Sequence, residues 1–67
     1  LQLQRLQLLL ARCEVDLAKG RAAAARKKFD TVTEEIRDLD ESVKALFPQI
    51  LDNIMANLDR MQSELGL

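Results

Sequence analysis

From Phe29 onward the apolar residues of this chain recur at steps of three and four: Phe29, Val32, Ile36, Leu39, Val43, Leu46 and Ile50. That spacing places them on one face of an α-helix as a heptad seam. Ile54, Leu58, Met61 and Leu65 carry the stripe on, shifted by successive steps of four. Upstream, Leu3, Leu6, Leu10, Cys13 and Leu17 repeat the pattern, and Ala18, Ala22 and Ala25 join the two runs. No stretch alternates with the period of two that a strand requires. The chain is therefore expected to be all-α.

Two places interrupt the pattern. In "LAKGRAAAA", Lys19 followed by Gly20 has the form of a helix end, with Gly at the left-handed position. Yet Arg21 and four alanines follow without an N-capping residue, and a glycine inside a helix costs only about 1 kcal/mol. A continuous helix is the favoured expectation there, with a break at Gly20 as the alternative. Thr31 and Glu34 have capping-box spacing, but the seam runs through them. In "ALFPQIL", Pro48 removes one hydrogen bond and crowds the carbonyl of Lys44. Phe47 is a poor cap, and the seam keeps its phase across the proline, so a bend is expected there and not a reversal. Residues 2–65 would then form one amphipathic helix about 95 Å long, bent near Pro48.

Such a rod needs partners. Leu1, Leu8 and Leu9 lie off the 3/6/10 stripe, and Leu51 and Met55 widen it near the C-terminus. A coiled-coil or antiparallel helical bundle of three or more helices is expected, as a dimer or with partner helices. The 67 residues, 48% hydrophobic and 31% charged, fit one small helical unit and no more. The chain opens without Met on "LQLQRLQLLL", so residues 1–67 are expected to be a fragment of a single larger helical domain. That opening is too short and polar to span a membrane and lacks a signal-peptide layout. With one thiol, Cys13, no disulfide can form within the chain, and a cytoplasmic location is expected.

Catalytic chemistry is poorly supplied. The chain has no histidine, which removes the commonest general base and, with a single cysteine, the usual zinc site. Cys13 falls on the seam and reads as a small core residue. Glu34, Glu35, Asp38, Asp40 and Glu41 read as a solvated face. Phe29 and Phe47 lie on the apolar stripe, and no glycine-rich loop is present to hold phosphate. Neither an enzyme activity, a metal, a cofactor nor a small-molecule substrate is expected.

Charge is unevenly spread. Residues 1–28 carry seven basic and two acidic groups, net +5, and residues 29–67 carry three and nine, net −6. Arg5, Arg12, Lys19 and Arg26 recur every seven residues, which on one continuous helix is a column beside the seam. Arg21, Lys27 and Lys28 stand near it. This is either a solvated edge with pairs such as Arg12–Asp16 and Asp16–Lys19, or a stripe that meets an anionic surface. Phospholipid headgroups fit, at about 1 kcal/mol per basic residue. Nucleic acid is disfavoured by the acidic second half and by the absence of interleaved aromatics.

"RKKFDTVTEEIRDLDESVKALFPQILDNIMANLDRMQSEL" resembles the last long helix of BAR domains, the crescent-shaped dimers that bind curved membranes. "RAAAARKK" leading to Phe29, then Val32 to Leu46 at 3/4 spacing, matches that helix in pattern. "SVKALFPQILDNIMANL" looks like the segment beyond its bend. The resemblance covers about the last 45 residues. It implies a non-catalytic scaffold that dimerises through its apolar stripe and binds anionic curved membranes peripherally. Arg21, Arg26, Lys27 and Lys28 would meet lipid, and Phe29, Val32, Ile36, Leu39, Val43, Leu46, Ile50, Ile54 and Leu58 would form the helix-packing interface. The competing expectation is a coiled-coil assembly subunit that joins protein partners without touching lipid.

Overall fold

A computed structural model describes residues 2–67. Four helices make up its regular structure: α1 (Gln2–Ala18), α2 (Ala22–Arg37), α3 (Glu41–Leu46) and α4 (Pro48–Glu64). The all-α expectation holds, and the helices pack as a compact bundle measuring 37 × 19 × 17 Å. The single long helix does not form.

The first departure is at Gly20. Its φ is +78°, a conformation that costs other residues about 1–2 kcal/mol. The Gly20 amide donates to the Leu17 carbonyl at 3.1 Å, and the Arg21 amide donates to that of Asp16 at 2.7 Å. This pair of bonds satisfies the last carbonyls of α1 and turns the chain. Continuing the helix would have kept the alanine hydrogen bonds but left two apolar stripes in water. Reversal lets each stripe cover the other, and burial of several large side chains at about 1.5–3 kcal/mol each outweighs the turn.

Helices α1 and α2 consequently run antiparallel. Arg5 pairs with Glu35, Asp16 pairs with Lys28, and the Cys13 thiol lies 3.2 Å from the Ala25 carbonyl. Thr31 does not cap a new helix; its hydroxyl donates to the Lys27 carbonyl inside α2.

The second departure is at Asp38–Asp40. Leu39 leaves the helix, its amide donating to the Ile36 carbonyl, and its side chain stays in the core. Asp40 is extended and its carboxylate accepts from the Ser42 amide, starting α3 with an N-cap. Glu41 in the first turn and Lys44 in the last suit the dipole of this short helix.

The third is at Phe47, with φ −130° and ψ 57°. A residue before proline is pushed out of the α region, and Pro48 then serves as the first residue of α4, where its missing N–H costs nothing. Pro48 thus starts a helix and does not bend one. Glu14 of α1 pairs with Arg60 of α4, and Leu17 and Ala18 border the same cleft as Met61 and Glu64. The C-terminal ends of α1 and α4 therefore lie together, and α4 runs parallel to α1 and antiparallel to α2. After α4 the chain turns at Gly66, with φ +75° and the same two-bond cap seen at Gly20.

The core joins the three long helices. Leu3, Leu6, Leu10 and Cys13 come from α1; Ala25, Phe29, Val32 and Ile36 from α2; Ile54, Leu58 and Met61 from α4. Leu6, Cys13, Val32 and Ile54 have no exposed surface.

Candidate functional site

Of the four residues expected to meet an anionic surface, the fold leaves three exposed near the α1–α2 turn and diverts the fourth. Arg21 lies in the turn before α2 and is exposed. Arg26 is exposed, its Nε 3.4 Å from Asp30 one turn on. Lys27 is exposed. Lys28 is drawn inward to Asp16, a carboxylate on a residue only 7% exposed. That pair is structural, because it satisfies a buried charge and fixes the register of α1 against α2. The pairs Arg12–Asp16 and Asp16–Lys19 do not form among the described residues; Asp16 turns across to α2 instead. The heptad column is also divided, since Arg5, Arg12 and Lys19 stay with α1 and Arg26 moves to α2.

The seam residues are distributed as follows. Phe29, Val32, Ile36, Leu39, Ile54 and Leu58 are buried, and Val43 and Ile50 are half-buried against the core. Leu46 is 71% exposed. Its place on the stripe assumed an unbroken helix. Because α3 is one short piece between two breaks, Leu46 points away from the bundle.

Cys13 is buried and its thiol donates to the Ala25 carbonyl. Burial pushes its pKa up, the Asp16 carboxylate adds to the rise, and the Lys28 ammonium opposes it in part. The thiol is held neutral at physiological pH, which makes it a poor nucleophile. Glu35 accepts from Arg5 through one oxygen, while its other oxygen is buried without a protein donor. Glu14, Leu17, Ala18, Arg60, Met61 and Glu64 border an open cleft of about 380 Å³ between α1 and α4. No three acidic or thiol groups among the described residues converge as metal ligands. No helix of the described residues is long and apolar enough to cross a membrane.

A feature that the inner stripe conceals is on the other side of α1. Leu8, Ala11, Val15 and Ala18 are all exposed, Leu8 by 54% and Val15 by 49%. Their steps of three, four and three form a second seam facing away from the core. Arg5, Arg12 and Lys19 border it on the side of α2; Gln7 and Glu14 border it on the side of α4. The sequence signal was present, since Leu8 stands off the inner stripe, but it became a surface only once α1 was known to be a separate helix with its inner face filled.

Comparison with family models, curated proteins and solved structures finds no match to this chain.

Proposed function

We propose that this chain is a non-catalytic helical module that joins protein partners. The observation that carries this reading is the two-faced character of α1. One apolar seam closes the core of a bundle with no rod-like extension, and a second, Leu8–Ala11–Val15–Ala18, remains exposed. Exposed apolar residues scattered singly need no explanation, whereas a row at helical spacing beside a basic column has the form of a helix-docking surface. Two polar groups within the bundle are engaged in holding it, Asp16 by Lys28 and the Cys13 thiol by a carbonyl, and Glu14 pairs with Arg60 at the surface between α1 and α4. A neutral, buried thiol agrees with a structural role.

A second reading is a peripheral membrane scaffold that dimerises and binds anionic curved bilayers. Exposed Arg21, Arg26 and Lys27 around the α1–α2 turn favour it. The BAR resemblance adds less here, because helices of 16 or 17 residues are about 25 Å long. Those residues form no extended crescent.

Co-sedimentation with anionic and neutral vesicles at low and moderate salt separates the two. The protein-docking reading expects a folded, helical protein that stays in the supernatant in every condition. Salt-sensitive pelleting with anionic vesicles alone, lost on Arg26→Glu/Lys27→Glu, would overturn it in favour of the membrane scaffold.

A further inference from the structure

We infer that the outer face of α1 takes an amphipathic helix with acidic flanks, supplied by another protein. The inference rests on the protein-docking reading and names the partner's chemistry. In a coiled-coil pair the residues beside the seam choose the partner and its direction. With Leu8, Ala11, Val15 and Ala18 as the seam, one flank is Arg5, Arg12 and Lys19. Among the described residues Arg12 and Lys19 have no ion-pair partner, and Arg5, although it contacts Glu35, keeps 53% of its side chain exposed. The other flank is Gln7 and Glu14, and Glu14 already holds Arg60. The surface offers positive charge on one side and little unengaged negative charge on the other.

A second copy of this face would cover it badly. Antiparallel pairing sets the Arg5–Arg12–Lys19 column against itself. Parallel pairing brings Lys19 toward the copy's Glu14, which Arg60 already engages, and gives Arg12 only Gln7. Another face of the same chain does no better. The exposed side of α4 has acidic Asp52 and Asp59, but Met55 is its one exposed large apolar residue, and Ala56 and Ser63 beside it do not extend it into a seam. What fits is a helix with large apolar residues over Ala11 and Ala18, whose small side chains allow close approach, and with Glu or Asp beside Arg12 and Lys19. It would need to follow α1 for about 20 Å, close to four turns.

The test uses three synthetic helical peptides, each about three heptads long, and the 67-residue chain. One has a leucine seam with Glu flanks, one the same seam with Lys flanks, and one Glu flanks around a serine seam. Binding is read by fluorescence anisotropy at low and moderate salt. The Glu-flanked leucine peptide is expected to bind, and the other two are not. Leu8→Ser/Val15→Ser and Arg12→Glu/Lys19→Glu should each weaken binding by about tenfold or more. Both pairs lie on the surface, so circular dichroism should report unchanged helicity. Equal binding of Glu- and Lys-flanked peptides, or binding of neither, would overturn the acidic partner. Dimerisation of the protein alone, abolished by Leu8→Ser/Val15→Ser, would also overturn it and assign the face to a second copy. Vesicle co-sedimentation keeps the two failures apart. No peptide binding without vesicle pelleting removes the acidic helix and leaves the module reading standing; no peptide binding with anionic pelleting removes both.

Discussion

The chain reverses twice, by different means. From α1 to α2 it needs Lys19, Gly20 and Arg21, with a single left-handed residue carrying the turn. From α2 to α4 it uses the ten residues from Asp38 to Phe47, which include a helix of their own and no positive φ. The first reversal concentrates its conformational demand at one residue and is braced by two polar contacts deep between the helices, Asp16–Lys28 and Cys13–Ala25. The second spreads the demand over Asp40, which caps α3, and the Phe47–Pro48 junction, where proline excludes a continued helix. A concentrated reversal is sensitive to single substitutions. A distributed one has several parts that can each be lost at small cost.

The largest test of that contrast is Lys28→Ala. It leaves the Asp16 carboxylate buried without its cation. Removing one partner of a fully buried pair costs about 3–5 kcal/mol. The Lys28 side chain keeps 30% of its surface in water, so a loss of about 2 kcal/mol is expected, out of the roughly 3–10 kcal/mol that a domain of this size possesses. Urea denaturation followed by circular dichroism should show one cooperative transition at a lower midpoint. A loss below about 0.5 kcal/mol, the level of an ordinary surface pair, would show that the hairpin does not depend on this brace.

Next comes Gly20→Ala. A Cβ at Gly20 would meet nothing within 4 Å, so the penalty is conformational only, about 1–2 kcal/mol. The thermal midpoint should fall by about 4–8 °C per kcal/mol lost. Alanine also favours the continuous helix that competes with the turn. In that form α1 and α2 would be one rod and the missing contacts would come from a second chain, a domain-swapped dimer. A monomer with a lowered midpoint keeps the contrast as drawn. A swapped dimer by sedimentation sharpens it, because the first reversal would then depend on Gly20 alone.

The same comparison explains what could be read in the residues beforehand. The inner faces were legible: Leu3, Leu6, Leu10 and Cys13, and again Phe29, Val32, Ile36 and Leu39, are buried where the 3/4 spacing places them. Chain direction was not. A seam counts residues per turn and says nothing about whether the next turn continues or folds back. Gly20 was the one local signal for reversal, and the alanines after it argued the other way because intrinsic propensity ignores what the long rod would leave exposed. Asp40 reads in the sequence as one more residue of a solvated acidic face and not as a cap, because Leu39 and Val43 hold heptad phase on either side of it. Of the basic residues, only the fold could tell Lys28, held by Asp16, from Arg12, left at the surface. Of the outer seam of α1 only Leu8 stands out in the sequence as off the stripe; Ala18 counts with the inner run until the turn at Gly20 leaves it exposed, and the meaning of the seam needed the third helix to come from the same chain.

Leu46 is where the heptad reading and the fold disagree most, and its substitution is the smallest effect expected. On an unbroken helix it would sit between Val43 and Ile50 in the packing seam. In the bundle it ends α3, 71% exposed, while Val43, Phe47, Ile50 and Leu51 around it are half-buried. Truncating a packed leucine costs about 2–5 kcal/mol, because transfer energy and a cavity are both lost. Leu46 has little burial to lose, so Leu46→Ser should change stability by no more than about 0.5 kcal/mol. Serine should also leave the α3–α4 junction in place, since Pro48 and the Phe47 backbone set it. The check is a denaturation midpoint measured at two protein concentrations. A loss of about 2 kcal/mol or more at both, the cost of truncating a packed leucine, would mean that Leu46 packs inside the bundle and that the second reversal is drawn too loosely. A loss that grows with protein concentration would instead place Leu46 against another copy, making the corner between α3 and α4 a contact surface in its own right.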